Sequence, residues 1–297
     1  VDSTDVFADD WTLGFYLSPP AAGATNAYSR YGAGETLLGF GVKRLVEVSF
    51  QSGQPRLQIY RADGTGSWIP TAPPEGAQPA AAVSEGTLEM AIPLEAFAPE
   101  SRSGDRINIR LALSEAEQDL AIFPEEGPMV ATVPDLPIPN VFAVFEDPTS
   151  DDHGPATYDY PSDQVFKSGV FDLTGLIIGY DDQDTIFQLE FRGPVINEWD
   201  SPNGLSIQTI DIYVDSDGAE TGDRMLLPGR NAALEPGHGW DYAIWAEGWT
   251  PGIYTPGTEG PVQVDSGYRI VTNPGQRRVT IYLPRTLIEP EPEKWHI

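Results

Sequence analysis

Arg106-Ile107-Asn108-Ile109-Arg110-Leu111-Ala112-Leu113-Ser114 decides the class of fold. Ile107, Ile109, Leu111 and Leu113 fall on one side of an extended chain, and Arg106, Asn108 and Arg110 fall on the other. A period of two predicts a strand with one face on a core and one in water. The same alternation and β-branching recur in both directions. Towards the N-terminus they predict strands at 12–18, within 37–50, at 56–61 and at 87–92. Towards the C-terminus they predict strands at 119–123, 141–145, 173–180, 185–192, 206–216, 240–247, 262–264, 268–272 and 277–283. Helical periodicity is nearly absent. Single helical turns are expected only after Pro93 and Pro284, where proline opens the turn. Residues 72–83 read as a Pro/Ala-rich loop. Twenty-eight prolines and thirty glycines mean many turns, so the expectation is an all-β protein of antiparallel sandwich blocks.

A length of 297 residues with this content fits two domains, expected at 1–145 and 146–297. The net charge of −28 argues against nucleic acid and anionic membranes, which need basic patches. There is no cysteine, hence no disulfide, thiolate metal site or Cys nucleophile. No apolar run reaches bilayer length. The chain opens on Val1 without a basic-then-apolar leader, as expected of a processed or excised segment.

The two halves repeat. Leu13-Gly14-Phe15-Tyr16-Leu17-Ser18 parallels Ile210-Asp211-Ile212-Tyr213-Val214-Asp215, and without a gap Gly32 meets Gly229 and Val46-Glu47-Val48 meets Ala243-Ile244-Trp245. Ala91-Ile92-Pro93-Leu94 parallels Tyr282-Leu283-Pro284-Arg285. This reads as a tandem duplication. Two strands precede the Tyr213 strand and almost nothing precedes the Tyr16 strand, so the repeats are expected to be incomplete at the chain ends. Edges left open in that way are expected to be covered by the complementary parts of the two blocks, by flanking segments, or by a neighbouring chain in self-association through strand pairing.

Between the halves lies a dense acidic stretch, residues 146–172. Its Pro148, Gly154, Pro155 and Pro161 forbid a helix. Asp147, Asp151, Asp152 and Asp172, with the backbone near Thr157, offer the hard oxygens that Ca²⁺ takes; a solvated linker is the competing reading. Tyr158, Tyr160, Val165, Phe166, Val170 and Phe171 favour an ordered cap. A second, weaker calcium candidate is Asp215, Asp217 and Asp223 in Asp215-Ser216-Asp217-Gly218, against which stands a plain Asp-Gly turn.

From about 147 to 254 the chain resembles the C-terminal domain of glucodextranases and related amylopullulanase-type proteins. The residues carrying the likeness are Asp147…Asp151-Asp152-His153-Gly154-Pro155-Ala156-Thr157-Tyr158-Asp159-Tyr160-Pro161, Phe166…Gly169-Val170-Phe171-Asp172-Leu173, Gly193-Pro194…Asn197-Glu198-Trp199, Gly204-Leu205-Ser206-Ile207-Gln208…Asp211-Ile212-Tyr213 and Gly229-Arg230-Asn231-Ala232…Trp240-Asp241. The first half looks like a divergent copy. The resemblance implies a sandwich similar to family 9 carbohydrate-binding modules and DOMON-like domains, of jelly-roll or immunoglobulin-like kind. Such modules are appended to secreted or surface-attached polysaccharide-active enzymes. Calcium is often structural in that group, and sugars or haem are the ligands. Haem is not expected here, because methionine and histidine are few.

Trp240, Trp245 and Trp249, with Trp199, are candidate sugar platforms, rimmed by Arg230, Asn231 and Asp241; against this stands the usual place of tryptophan in a sandwich core. His153, His238 and His296 have no zinc spacing, and no nucleophile or phosphate-loop motif occurs. The expectation is therefore a non-catalytic module, extracellular or at the cell surface, that binds α-glucan-like carbohydrate or a surface glycan. The competing class is a structural or assembly subunit, as in a surface layer or filament.

Overall fold

A computed structural model describes residues 7–19, 23–32, 34–153, 160–218, 222–288 and 291–297. The chain divides into two compact units, Val1–Leu136 and Pro137–Ile297. Among the described residues helix is limited to one four-residue turn and two 3-10 turns, so the all-β expectation holds.

The first unit contains β1 (Trp11–Ser18), β2 (Asn26–Tyr28), β3 (Leu37–Val42), β4 (Arg44–Gln51), β5 (Gln54–Ala62), β6 (Trp68–Thr71), β7 (Ala80–Ser84), β8 (Thr87–Ala91), β9 (Arg106–Glu115), β10 (Gln118–Phe123) and β11 (Met129–Thr132). One antiparallel sheet runs β10-β9-β1-β4-β5-β6, with β11 also on β9, while β2-β3 and β7-β8 are separate hairpins. Strand alternation sorts its side chains. Leu17, Val46, Ile59 and Ile107 line one face, closed by Ala96, Ala98 and Val133. The helical turn expected after Pro93 is α1 (Leu94–Phe97), and its neighbours Ala96 and Ala98 join this core. Tyr16, Leu45, Tyr60 and Ala112 take the opposite face, under Leu38 and Val42 of β3. Each buried Leu, Val or Ile side chain among them contributes ~1.5–3 kcal/mol by leaving water.

Because both faces are covered, β9 differs from its reading as a half-exposed strand. Arg110, assigned to the wet side, is buried. Its guanidinium donates to the carbonyls of Leu38 (2.9 Å), Pro124 (3.1 Å) and Glu125 (2.6 Å). Alternation marks two faces but does not reveal that a hairpin lies on the polar one.

The second unit contains β12 (Asn140–Glu146), β13 (Leu173–Tyr180), β14 (Asp184–Phe191), β15 (Ile210–Val214), β16 (Tyr242–Ala246), β17 (Gly252–Thr255), β18 (Val262–Asp265), β19 (Arg269–Asn273) and β20 (Arg278–Pro284). A five-stranded sheet, β12-β13-β14-β20-β19, and a four-stranded sheet, β15-β16-β17-β18, share one core. Ile178, Phe187, Leu189, Val279 and Ile281 come from the first sheet, and Ile212, Val214, Ile244 and Ile253 from the second. The β13–β14 hairpin forms at the expected acidic loop. Asp181 Oδ1 accepts from the backbone N–H groups of Gln183 and Asp184, both at 2.7 Å, which is the Asx-type bonding that favours Asp in turns.

The domain boundary shifts from its expected place after residue 145. The strand read as closing the first block pairs with β13, placing Phe145 opposite Leu176, so it opens the second unit. Hydrophobic pattern identifies a strand but not its partner. The edge strands β12 and β18 expose Val141, Val144 and Phe145, and Val262 and Val264.

Candidate functional site

The described carboxylates of the acidic stretch find different surroundings. Asp172 is buried and its Oδ2 accepts from the Ser150 N–H (2.7 Å) and from Arg192 Nη1 (2.8 Å). Arg192 thus brings a positive charge to one Asp172 oxygen, while Asp172 Oδ1 and Asp152 Oδ2 are buried without a hydrogen-bond partner among the described residues. Asp147 and Asp151 are exposed, while the Asp152 side chain is buried, 3.7 Å from His153. Among the described residues no three acidic groups of this stretch converge; Thr157 and Tyr158 lie outside the described residues. The expected cap is present in part as packed rings, with Tyr160 and Phe166 both against Phe171. Burial and the adjacent Asp152 raise the Tyr160 hydroxyl above its ordinary pKa.

A carboxylate group does form at the second, weaker candidate. One oxygen each from Asp215, Asp217 and Asp241 lies within 4.8 Å of the others. Asp223 is not among them; its Oδ1 accepts from the Met225 N–H at 3.0 Å. Asp241, read from sequence as a sugar rim, takes its place. The reason is tertiary: β15 and β16 pair with Val214 opposite Tyr242, which delivers the preceding Asp241 beside Asp215. Asp241 Oδ2 accepts from Ser216 N and Oγ, both at 2.9 Å, and Asp215 Oδ1 accepts from the Gly218 N–H at 2.7 Å. Asp217 and Asp241 also line a cavity of about 430 Å³, together with Tyr242, Glu291, Lys294 and Trp295. Three converging carboxylates beside the Ser216 hydroxyl are a hard-oxygen donor set, which fits calcium.

The tryptophans divide. Trp240 is fully buried, its Nε1 donating to the Met225 carbonyl at 2.8 Å, so it belongs to the core and not to a binding rim. Trp245 lies under the Arg230 guanidinium, 5.1 Å from ring centre to Cζ, and against Tyr254. Arg230 itself grips Asp211 through Nε (2.6 Å) and Nη2 (2.7 Å). Sequence reasoning placed Asp211 in the family likeness but not in the site, although its position two residues before Tyr213 put it on the same side of the strand. Asn231 is exposed, with a left-handed backbone at φ 52°.

Trp199 and Trp249 are 55% and 47% exposed, yet stacked, 6.4 Å between centroids and 27° from parallel. Two loops hold them. Asn197 Oδ1 accepts from Ser201 N (2.8 Å) and Ser206 Oγ (2.7 Å), and the Trp199 N–H donates to that same Ser206 Oγ at 3.2 Å. Across from it Glu247 accepts from the N–H groups of Trp249 and Thr250. Asn203 joins the loops, its N–H donating to the Gly248 carbonyl (3.2 Å) and its Nδ2 to the Glu247 carbonyl (3.0 Å). Gly248 has to be glycine, since a Cβ there would stand 2.1 Å from the Leu205 carbonyl oxygen. Two large flat rings held in place and open to water are uncommon except where something docks.

Residues 142–297 match the model of the C-terminal binding-module, SLH-like, of glucodextranase. The chain belongs to this family. The matched span takes in both sheets of the second unit and every group just described, and it makes the chain's kinship one of binding modules. No curated protein matches the chain. No helix among the described residues is long and apolar enough to cross a membrane.

Proposed function

We propose that the second unit is a carbohydrate-binding accessory module of a secreted or surface-attached polysaccharide-active polypeptide, without catalytic activity of its own. The carrying observation is the exposed Trp199–Trp249 stack. A pyranose ring presents a face of C–H groups that packs on an indole, while its hydroxyls reach polar groups at the rim. The rings are already positioned by Asn197, Asn203 and Glu247, so little ordering entropy opposes binding. An α-glucan is the favoured ligand class, from the family's connection to glucodextranase. Asp215, Asp217 and Asp241 would hold a structural calcium, which would offset the mutual repulsion of three adjacent carboxylates and tie the turn after β15 to the start of β16.

Titration of the full chain with α-glucan oligosaccharides, followed by tryptophan fluorescence and calorimetry, tests the reading. Saturable binding is expected, with W199A and W249A each weakening it at least ~10-fold, on the order of 1.4 kcal/mol. Unchanged affinity in both variants would remove the stack from the site.

A further inference from the structure

The outer face of the β1-β4-β5 sheet and that of the β15-β16-β17 sheet are built alike. Tyr16 and Tyr213 each accept, on the hydroxyl, a backbone N–H from fourteen residues further on: Arg30 at 2.9 Å and Leu227 at 2.9 Å. Each ring meets a tryptophan edge-on, Trp68 at 5.6 Å and 66°, Trp240 at 5.7 Å and 63°. Each tyrosine sits in the same ladder rung, Tyr16–Leu45–Tyr60 in one unit and Tyr213–Ala243–Tyr254 in the other. The next strand is entered by the same bond, Lys43 N–H to Leu17 carbonyl (2.9 Å) and Asp241 N–H to Val214 carbonyl (2.8 Å). In both, the chain between those strands covers the face and sends an arginine to a carboxylate beside an aromatic ring. Arg30 meets Glu47 under Tyr60, and Arg230 meets Asp211 over Trp245. Shared strand periodicity produces no such set of bonds.

The two clamps differ in one respect. Each Arg230 nitrogen has a partner: Nε and Nη2 hold Asp211 and Nη1 donates to the Pro228 carbonyl at 3.1 Å. The carboxylate and its facing residue are exchanged between the strands of one rung, Asp211 opposite Trp245 but Gly14 opposite Glu47. The first unit therefore has no indole beside its arginine. Arg30 holds both Glu47 oxygens with Nη1 alone, at 2.7 and 2.6 Å. Tyr60 is a further hydrogen-bond partner of the side chain, and these partners engage fewer than the five N–H groups that a guanidinium carries. The side chain is 30% exposed. Tyr31 lies half-buried within cation–π distance, 5.1 Å from Cζ to ring centre. Donors left over on a fixed guanidinium, flanked by an aromatic ring, suit a polyhydroxylated ring. Glu47 cancels the arginine's charge at contact, and the chain as a whole carries −28, so an anionic ligand is disfavoured and a neutral one favoured.

We infer that the first unit is a diverged copy of the binding module and that Arg30, held by Glu47 beside Tyr31, forms a second contact site for neutral carbohydrate. The inference rests on the carbohydrate reading of the second unit, and one experiment separates the two. Calorimetric titration of the full chain with a short α-glucan oligosaccharide is expected to give two sites per chain. The W199A/W249A double variant should keep one. Adding R30K, which retains the ion pair but not the guanidinium donors, should weaken the remaining site at least ~10-fold, with the circular dichroism spectrum unchanged. Tyr31→Ala on the double variant provides a change that keeps both charged side chains of the Arg30–Glu47 pair and should weaken the same site. A single site in the parent, lost entirely in W199A/W249A, would overturn this inference and leave the carbohydrate reading standing. No binding in the parent would overturn both.

Discussion

Arg192→Met probes whether the fold, and not an ion, neutralises the acidic cap. The Asp172 carboxylate is wholly inaccessible, whereas Arg192 is 38% exposed. Removing the guanidinium leaves Asp172 with the Ser150 N–H as its bonded donor and an ionised oxygen facing protein. Breaking a fully buried ion pair from one side costs ~3–5 kcal/mol. Partial hydration of Arg192 in the parent lowers the expected loss to about 2–3 kcal/mol. With a urea slope of ~1–3 kcal/mol per molar, the midpoint should fall by about 1 M. Five of the seven tryptophans lie beyond residue 137, so fluorescence follows the second unit. The measurement is made in EDTA and in calcium. A loss under about 1 kcal/mol, or full recovery in calcium, would mean that a cation and not Arg192 carries the compensation, and the argument from the ion pair would be wrong.

The remaining expectations are briefer. EDTA should lower the thermal midpoint of the parent and calcium restore it, while D241N should abolish that calcium response; an identical response in D241N would move the ion away from Asp215, Asp217 and Asp241. Trp240→Ala should cost ~3–5 kcal/mol, because it empties a fully buried site, whereas Trp249→Ala should change stability little and binding strongly; reversal of that pattern would misassign both rings. Burial, aided by Glu47, pushes the Tyr31 hydroxyl up to about 12, and burial raises Tyr16, Tyr60, Tyr213 and Tyr268 as well. The unfolded tyrosines ionise near ~10, so above that pH the unfolded state releases protons that the folded state retains. Stability should be full below pH ~10 and fall between there and pH ~12. Equal urea midpoints across that window would contradict the burial of these hydroxyls.

Much of the fold was legible in the chain, because strand alternation and turn chemistry are local. The Asp181 loop, the turn after Pro93 and most strands stand where period and punctuation put them. The sites were legible as residue types more than as sets. Trp199 and Trp249 are fifty positions apart, and no pattern in the sequence pairs them; Asn203 and Gly248 do so by joining two loops. Asp241 was read beside the tryptophans that neighbour it in sequence, yet it serves the acidic group across the β15–β16 ladder. Asp172 was legible as a carboxylate of the acidic stretch, but nothing in the sequence shows that Arg192 reaches it.

The sequence by itself determined that this is an antiparallel all-β chain and that its second half belongs with glucodextranase C-terminal modules. These follow from side-chain periodicity and ordered strings of residues, both written along one dimension. Tertiary structure decided which strand closes which unit, which tryptophans face water, and which carboxylates meet an arginine and which meet one another. Those outcomes depend on register and loop closure, where a shift of one residue exchanges the buried face for the exposed one.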